Sequence, residues 1–310
     1  MVFVKRQINS IENEGIEIRK FFLLSRTSPR LVIQEGVRLA EDIKKFKPDI
    51  VHAQYGTMTG FLCSFFWGHR FVITFRGSDI NFIKGINSAR SLVGKILSNI
   101  SIWRADAVIC VSENLKKSLW WGQEKTVVIP NGVNIDTFCP IPKDEARKYL
   151  GLDQFSKLIL FNAGGYRAVK RMDLAEQALK HVKKYVPNAE LLILDGNIPA
   201  DNVYLYHNAA DCLLVVSDSE GSPNIVKEAM ACNLPVVSVD VGDVRERLEG
   251  VTPSCIVDRD PSKIADAVVP ILLSSERSNG LQKIKDLSEA SVASAIIRLY
   301  ERLDVLCSRG

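Results

Sequence analysis

Two glutamates, Glu220 and Glu228, are separated by seven intervening residues across a tight turn in the run Ser217–Asp–Ser–Glu–Gly–Ser–Pro–Asn–Ile–Val–Lys–Glu–Ala–Met–Ala–Cys–Asn–Leu–Pro–Val–Val–Ser238. Carboxylates accept hydrogen bonds and donate none, so a pair placed this way suits a ligand rich in hydroxyl groups. Gly221 supplies the permissive backbone for the turn, Ser222 suits an N-cap, and Pro223 suits the first helical position, where a missing N–H costs nothing. The spacing predicts a helix from about Pro223. Its first-turn amides, from Ser222 through Asn224 to Ile225, then face a cleft above the preceding strand and favour oxygen-rich or anionic ligands. Acidic residues near helix N-termini also complement the macrodipole, so spacing alone supports a purely structural reading equally well.

Elements that would position these groups can be read along the whole chain. Short apolar runs at Lys20–Leu24, Asp49–Ala53, Phe71–Phe75, Ala107–Val111 and Thr126–Ile129 are expected strands. A second set follows at Leu158–Asn162, Glu190–Leu194, Cys212–Val216, Pro235–Val239 and Ser254–Val257. Amphipathic stretches between them, such as Leu31–Phe46, Leu174–Tyr185 and Pro261–Leu273, are expected helices. Such alternation implies parallel sheets covered by helices on both faces, an α/β architecture. Prolines interrupt it at Phe138–Lys143, the expected hinge between two doubly wound domains whose ligand would lie at the carboxyl ends of the strands. The expected division is 1–140, 141–288 and a terminal helix, 289–310, that returns to the first domain.

Composition narrows the class. The 310 residues have an ordinary globular balance of 46% hydrophobic and 25% charged residues. The seven cysteines are scattered, without metal-ligand spacing or a disulfide framework, which fits a reducing cytosol. No secretory signal or membrane-spanning run is visible, so a cytoplasmic location is expected. No Gly-x-Gly-x-x-Gly follows an expected strand, which disfavours a nicotinamide dehydrogenase, and no nucleic-acid partner is expected. Residues 1–150 hold 22 Lys and Arg against 14 Asp and Glu, while residues 151–310 hold 18 against 22. The basic first half suggests an anionic partner, such as a membrane surface or a polyprenyl-phosphate acceptor, although scattered surface lysines account for it equally.

The string from Glu220 to Val237, followed by Val241–Gly–Asp–Val244, resembles the donor-site motif of the family 4 glycosyltransferases, retaining enzymes of the GT-B fold that use sugar nucleotides. The resemblance implies that Glu220 contacts hydroxyls of the donor sugar, that amides near Ser222–Ile225 hold its oxygens, and that Glu228 binds the ribose. Lys47–Gly56, Ala105–Glu113 and Val128–Asn134 are similar to strands of that family's first domain. Val72–Asp79 resembles its strand-end loop, with Arg76 where a His is more usual, and so places Arg76, Gly77 and Asp79 near the donor phosphates. Asp79 also suits a simple capping role. In Leu160–Leu174, Arg167 and Lys170 match the Arg and Lys that neutralise the donor diphosphate. Two cations at a helix start oppose the dipole unless an anion joins them. The short segment Asp195–Asp201 leaves little room for a further strand that the family usually places there, so the bound base stays open.

The resemblance covers about residues 5–306 and implies a metal-independent transfer of a sugar, with retention, from a nucleoside diphosphate sugar to a lipid-linked or glycan acceptor. No cofactor is expected, since the sugar nucleotide is the substrate. The setting it suggests is cell-surface polysaccharide assembly at the inner face of the cytoplasmic membrane. A sugar-nucleotide epimerase of the same fold and a catalytically silent binding subunit are the alternatives. Phe3, Ile8 and Ile11 before Gly15 look like the end of the family's first helix, so the first strand and its Gly-rich loop are expected to be missing, with low activity as the consequence.

Overall fold

In a computed structural model of the chain, which describes residues 2–81, 88–164 and 167–307, strands and helices alternate in two compact units. One comprises Met1–Asn131 with Ala290–Gly310, the other Gly132–Glu289. Each is an α/β unit around one parallel sheet.

The first unit runs through α1 (Val2–Asn13), α2 (Pro29–Phe46), β1 (Ile50–Ala53), α3 (Thr57–Cys63), β2 (Arg70–Phe75), α4 (Ser88–Arg104), β3 (Ala107–Cys110), α5 (Glu113–Lys117) and β4 (Thr126–Val128). Its four strands are parallel in the order β1-β2-β3-β4, with Val51 opposite Phe71, Ile73 opposite Val108, and Ile109 opposite Val127. Alternate residues of a strand face opposite sides of the sheet. Phe71, Ile73 and Phe75 accordingly enter one apolar cluster with Ile102 and Leu115, while Val72 joins Ile109 and Ile11 in another. The second cluster is closed by Val292, Ala293, Ile296 and Leu299 of the terminal helix, which spans Glu289–Cys307.

One expected strand does not form. Residues 16–24, including Lys20–Leu24, pair with no described strand. Phe21 and Leu23 pack against the core while Phe22 and Leu24 stand exposed, and the Leu24 N–H donates to the Glu35 carboxylate at 3.0 Å. The in–out alternation is that of a strand; the hydrogen-bonded neighbour is what it lacks.

The second unit holds α6 (Lys143–Leu150), β5 (Lys157–Asn162), α7 (Arg167–Lys170), α8 (Met172–Val182), β6 (Ala189–Leu194), α9 (Val203–Ala209), β7 (Cys212–Val215), α10 (Asn224–Ala231), β8 (Val236–Val239), α11 (Val244–Arg247), β9 (Cys255–Val257), α12 (Pro261–Ser274) and α13 (Gly280–Ile284). The terminal helix, α14, follows. Strand order is β6-β5-β7-β8-β9, all parallel. The chain leaves β5 for β6 on one side and then crosses back to β7 on the other. That reversal opens a crevice at the carboxyl ends of β5 and β7, the usual ligand position in such sheets. Beneath it, buried Asp211 locks α6 to the sheet: it accepts from Arg147 Nη2 at 2.9 Å, Lys143 Nζ at 2.8 Å and the Leu158 N–H at 2.7 Å. Among the described residues no helix is long and apolar enough to cross a membrane.

Candidate donor site

In the second unit, the loops leaving β5 and β7 meet at this switch point. The Asp218 N–H donates to the Val169 carbonyl at 2.8 Å, fastening the loop after β7 to α7. Thus fastened, α7 presents Lys170 to Glu220, with Nζ 2.6 Å from Oε1 and both side chains partly open to solvent. Arg171 extends the charged rim, 3.2 Å from Asp218 and 2.8 Å from Asp173. Arg259, arriving from the end of β9, donates to the Ser217 carbonyl at 2.6 Å. Arg167 opens α7, and its side chain lies outside the described residues.

The turn before α10 differs from expectation. Pro223, not Ser222, occupies the N-cap, with φ −67° and ψ 116°, and Asn224 is the first helical residue. Ser222 is withdrawn from capping by two partners: its hydroxyl donates to Asp243 Oδ2 at 2.8 Å and accepts from the wholly buried Lys227 Nζ at 2.7 Å. This hydroxyl, ammonium and carboxylate tie the Gly221–Pro223 turn to the loop after β8. Gly242 makes the same junction at closer range. It sits at φ +60°, and a Cβ there would lie 2.9 Å from the Gly221 carbonyl oxygen. Ile225, in the first turn of α10, is buried.

Glu228 lies one helical turn beyond Asn224 and remains partly exposed. Its Oε2 is 3.6 Å from Nε2 of His207, a fully buried residue on α9 with neither ring nitrogen in a protein hydrogen bond. The imidazole stands edge-on to Phe138, centroids 5.7 Å apart.

The other predicted group belongs to the first unit and stands at the end of β2. Asp79 is buried and accepts from the N–H groups of Gly56 at 3.0 Å, Arg76 at 3.1 Å and Gly77 at 2.9 Å. Burial raises its pKa, against the lowering effect of those amides. Its carboxylate therefore shapes the loop, which turns at Gly77 with φ +124°. The Arg76 guanidinium donates to Gln7 Oε1 at 2.7 Å, to the Gln54 carbonyl at 3.2 Å, and to the side-chain oxygens of Gln54 and Asn131. It also lies 5.0 Å from the Phe3 ring centroid. Burial lowers its pKa to about 10, so it stays charged near neutrality.

Sequence reasoning thus found the pair that meets in space, Lys170 and Glu220. It missed Lys227, Asp243 and His207 as partners of the motif. Asp243 was visible within Val241–Gly–Asp–Val244, and its spacing of 21 residues from Ser222 gave no hint that the two touch.

Comparison with known proteins fits this geometry. The family model of Glycosyltransferase Family 4 matches residues 1–137, and that of Glycosyl transferases group 1 matches residues 174–274. A glycosyltransferase named for teichuronic acid biosynthesis, TuaC of Bacillus subtilis, is 29% identical over 221 residues, which cover 64% of this chain. The chain spans about half the length of that relative, 54%. The solved sucrose-phosphate synthase of Thermosynechococcus elongatus superposes with a TM-score of 0.81 at 17% identity, covering 98% of this chain and 93% of its own. HepE of Anabaena, solved in complex with UDP-glucose, does so with a TM-score of 0.62 at 18% identity, covering 98% and 89%. These structural likenesses show the fold: two parallel α/β units of the GT-B kind.

Proposed function

Because the chain belongs to the family 4, group 1 glycosyltransferases, we propose that it transfers a sugar, with retention and without a metal ion, from a nucleoside diphosphate sugar to a lipid-linked or glycan acceptor. The observation that carries this reading is the 2.6 Å pair of Lys170 and Glu220 at the switch point of the second unit, beside the first turn of α10. It sets a cation next to a hydroxyl-accepting carboxylate, the two functions that a sugar diphosphate requires of adjoining groups.

In this mechanism Glu220 accepts hydrogen bonds from the donor sugar, and Lys170, with Arg167, turns to the diphosphate. Negative charge grows on that leaving group as the glycosidic bond breaks, so a cation held nearby stabilises the transition state more than the bound donor. Backbone N–H groups of Ser222, Asn224 and Ile225 add to that field, and Glu228 accepts from the two ribose hydroxyls. In the first unit, the loop of Arg76 and Gly77, shaped by Asp79, is proposed by resemblance to the family as a phosphate-contacting loop.

A uridine diphosphate donor is favoured by the HepE complex, and an acceptor in cell-surface polysaccharide assembly by the naming of TuaC. The basic first half of the chain would then contact the inner face of the cytoplasmic membrane. The test is release of nucleoside diphosphate from a panel of sugar nucleotides. Release should rise when a glycolipid acceptor is added, and the new linkage should keep the donor anomer. An altered sugar nucleotide formed without acceptor would favour an epimerase, and binding without turnover a silent subunit; either would overturn the transferase reading.

A further inference from the structure

Helix α4 of the first unit buries polar residues beside Ile102 and leaves most of its large apolar residues outside the core. Its polar residues Ser98, Asn99 and Ser101 are fully buried. Ser98 Oγ donates to the Asp79 carbonyl at 2.9 Å and accepts from the Thr57 N–H at 2.7 Å, and Asn99 Oδ1 accepts from the Trp120 N–H at 3.0 Å. Leu92, Val93, Ile96, Ile100 and Trp103 are its large apolar residues left exposed, and Ala89 and Arg90 are exposed beside them. At 3.6 residues per turn the five large apolar residues fall within one arc of about 100°, an unbroken apolar stripe along the outer side. The same helix carries Arg90, Lys95 and Arg104 and no acidic residue.

The chain has four tryptophans, and all four stand on this surface, between 42% and 85% exposed. Trp103 ends the stripe. Trp120 is tied to the helix through Asn99, with Lys95 Nζ 5.9 Å from its ring centroid, and Trp121 stands edge-on to it at 5.8 Å. Trp67 lies under the Arg104 guanidinium at 4.3 Å. Single exposed apolar side chains need no explanation, but a contiguous patch ringed by indoles and cations does. A second copy of the chain fits poorly, since a two-fold contact through α4 would set Arg90 and Lys95 against their own copies with no acid on the helix to pair them, Arg104 being already held by Asp106 at 3.3 Å. A bilayer with anionic headgroups fits each part: aliphatic side chains at the acyl boundary, indoles at headgroup level, cations against phosphate.

We propose that the α4 face is a membrane-docking surface that lies flat on a bilayer containing anionic lipid, with the Leu92–Trp103 stripe and the four tryptophans in the interface. This deepens the membrane part of the reading above by naming its surface. It uses no residue of the donor site, so either reading can fail while the other stands.

Co-sedimentation of the whole chain with vesicles tests it. Wild-type protein should bind phosphatidylglycerol–phosphatidylcholine vesicles about tenfold or more tighter than pure phosphatidylcholine, with a blue shift of tryptophan emission and a loss of affinity as salt is raised. Ile96→Ser combined with Ile100→Ser should weaken vesicle binding about tenfold or more by removing apolar burial. Arg90→Glu combined with Lys95→Glu should abolish the preference for anionic lipid. Ile96, Ile100 and Arg90 are exposed and Lys95 is half-buried at the surface, so thermal melts and nucleoside diphosphate affinity should match wild type. Absence of vesicle binding, or vesicle binding unchanged in the serine variant, would overturn the proposal. So would light scattering that shows a dimer broken by the serine substitutions without any lipid binding, since that outcome assigns the face to a second copy.

Discussion

The Lys170 ammonium and the Glu220 carboxylate lie 2.6 Å apart and partly open to solvent, so as a structural pair they add little to stability. Their value lies in what each does when the other is drawn away. Lys170→Ala should lower kcat about 100-fold while shifting donor KM less, because the lost interaction strengthens as the leaving group gains charge. Steady-state kinetics with a matching melting curve check this; a normal kcat would remove Lys170 from the mechanism. Glu228→Gln should weaken nucleoside diphosphate binding by about 1–3 kcal/mol, the scale of a hydrogen bond to a charged group. A 2′,3′-dideoxy nucleotide should bind the wild type and this variant alike, and a retained difference would show that ribose is not its partner. Glu228 was legible because the motif string carries it at a fixed distance from Glu220, and Lys170 because Leu160–Leu174 matches the family's strand-to-helix loop. The roles of Ser222 and His207 were not. A serine ahead of a proline looks like an N-cap until a buried lysine and a distant Asp243 claim its hydroxyl, and a histidine on an apolar helix face carries no mark of the carboxylate 3.6 Å away.

Among the elements, the sheets were the most readable. Central strands such as Phe71–Phe75 and Cys212–Val215 are buried on both faces and appear in the sequence as unbroken apolar runs. Lys20–Leu24 misleads for the converse reason: period-two alternation reports which side chains face the core, and says nothing about whether a neighbour supplies hydrogen bonds. Loop junctions were hardly readable at all, since their meaning lies in contacts between segments. Gly242 illustrates this, holding a left-handed backbone where it presses on the Gly221 carbonyl. Gly242→Ala should cost about 1 kcal/mol or more in stability from backbone strain alone. The added methyl should also displace the Gly221–Pro223 turn and weaken donor binding. Chemical denaturation and nucleotide titration on the one variant check both parts, and an unchanged pair of values would show that the two loops move freely.

In the whole molecule, charge and burial divide the work between the units. His52 in the first is held by Thr74 at 2.7 Å and Tyr300 at 2.5 Å, and burial, then the nearby Arg76, lowers its pKa to about 3. Its ordinary value is 6.5, so between pH 6.5 and 3 the unfolded chain takes up a proton that the native unit refuses. Stability should be fully present above pH 6.5 and fall below it by about 1.4 kcal/mol per pH unit. Urea unfolding at pH 7.5 and pH 5 should show a loss about 2 kcal/mol larger for the wild type than for His52→Gln. Tryptophan emission reports on this unit specifically, because all four indoles belong to it. In the second unit, the switch point of the sheet is proposed to be a sugar-nucleotide site with Lys170 on the phosphates. Calorimetric titration of wild type and Lys170→Ala with a nucleoside and with its diphosphate tests this most directly. Wild type should bind the diphosphate far more tightly than the nucleoside, and Lys170→Ala should lose most of this increment while its nucleoside affinity holds. An increment of equal size in both proteins would contradict this assignment.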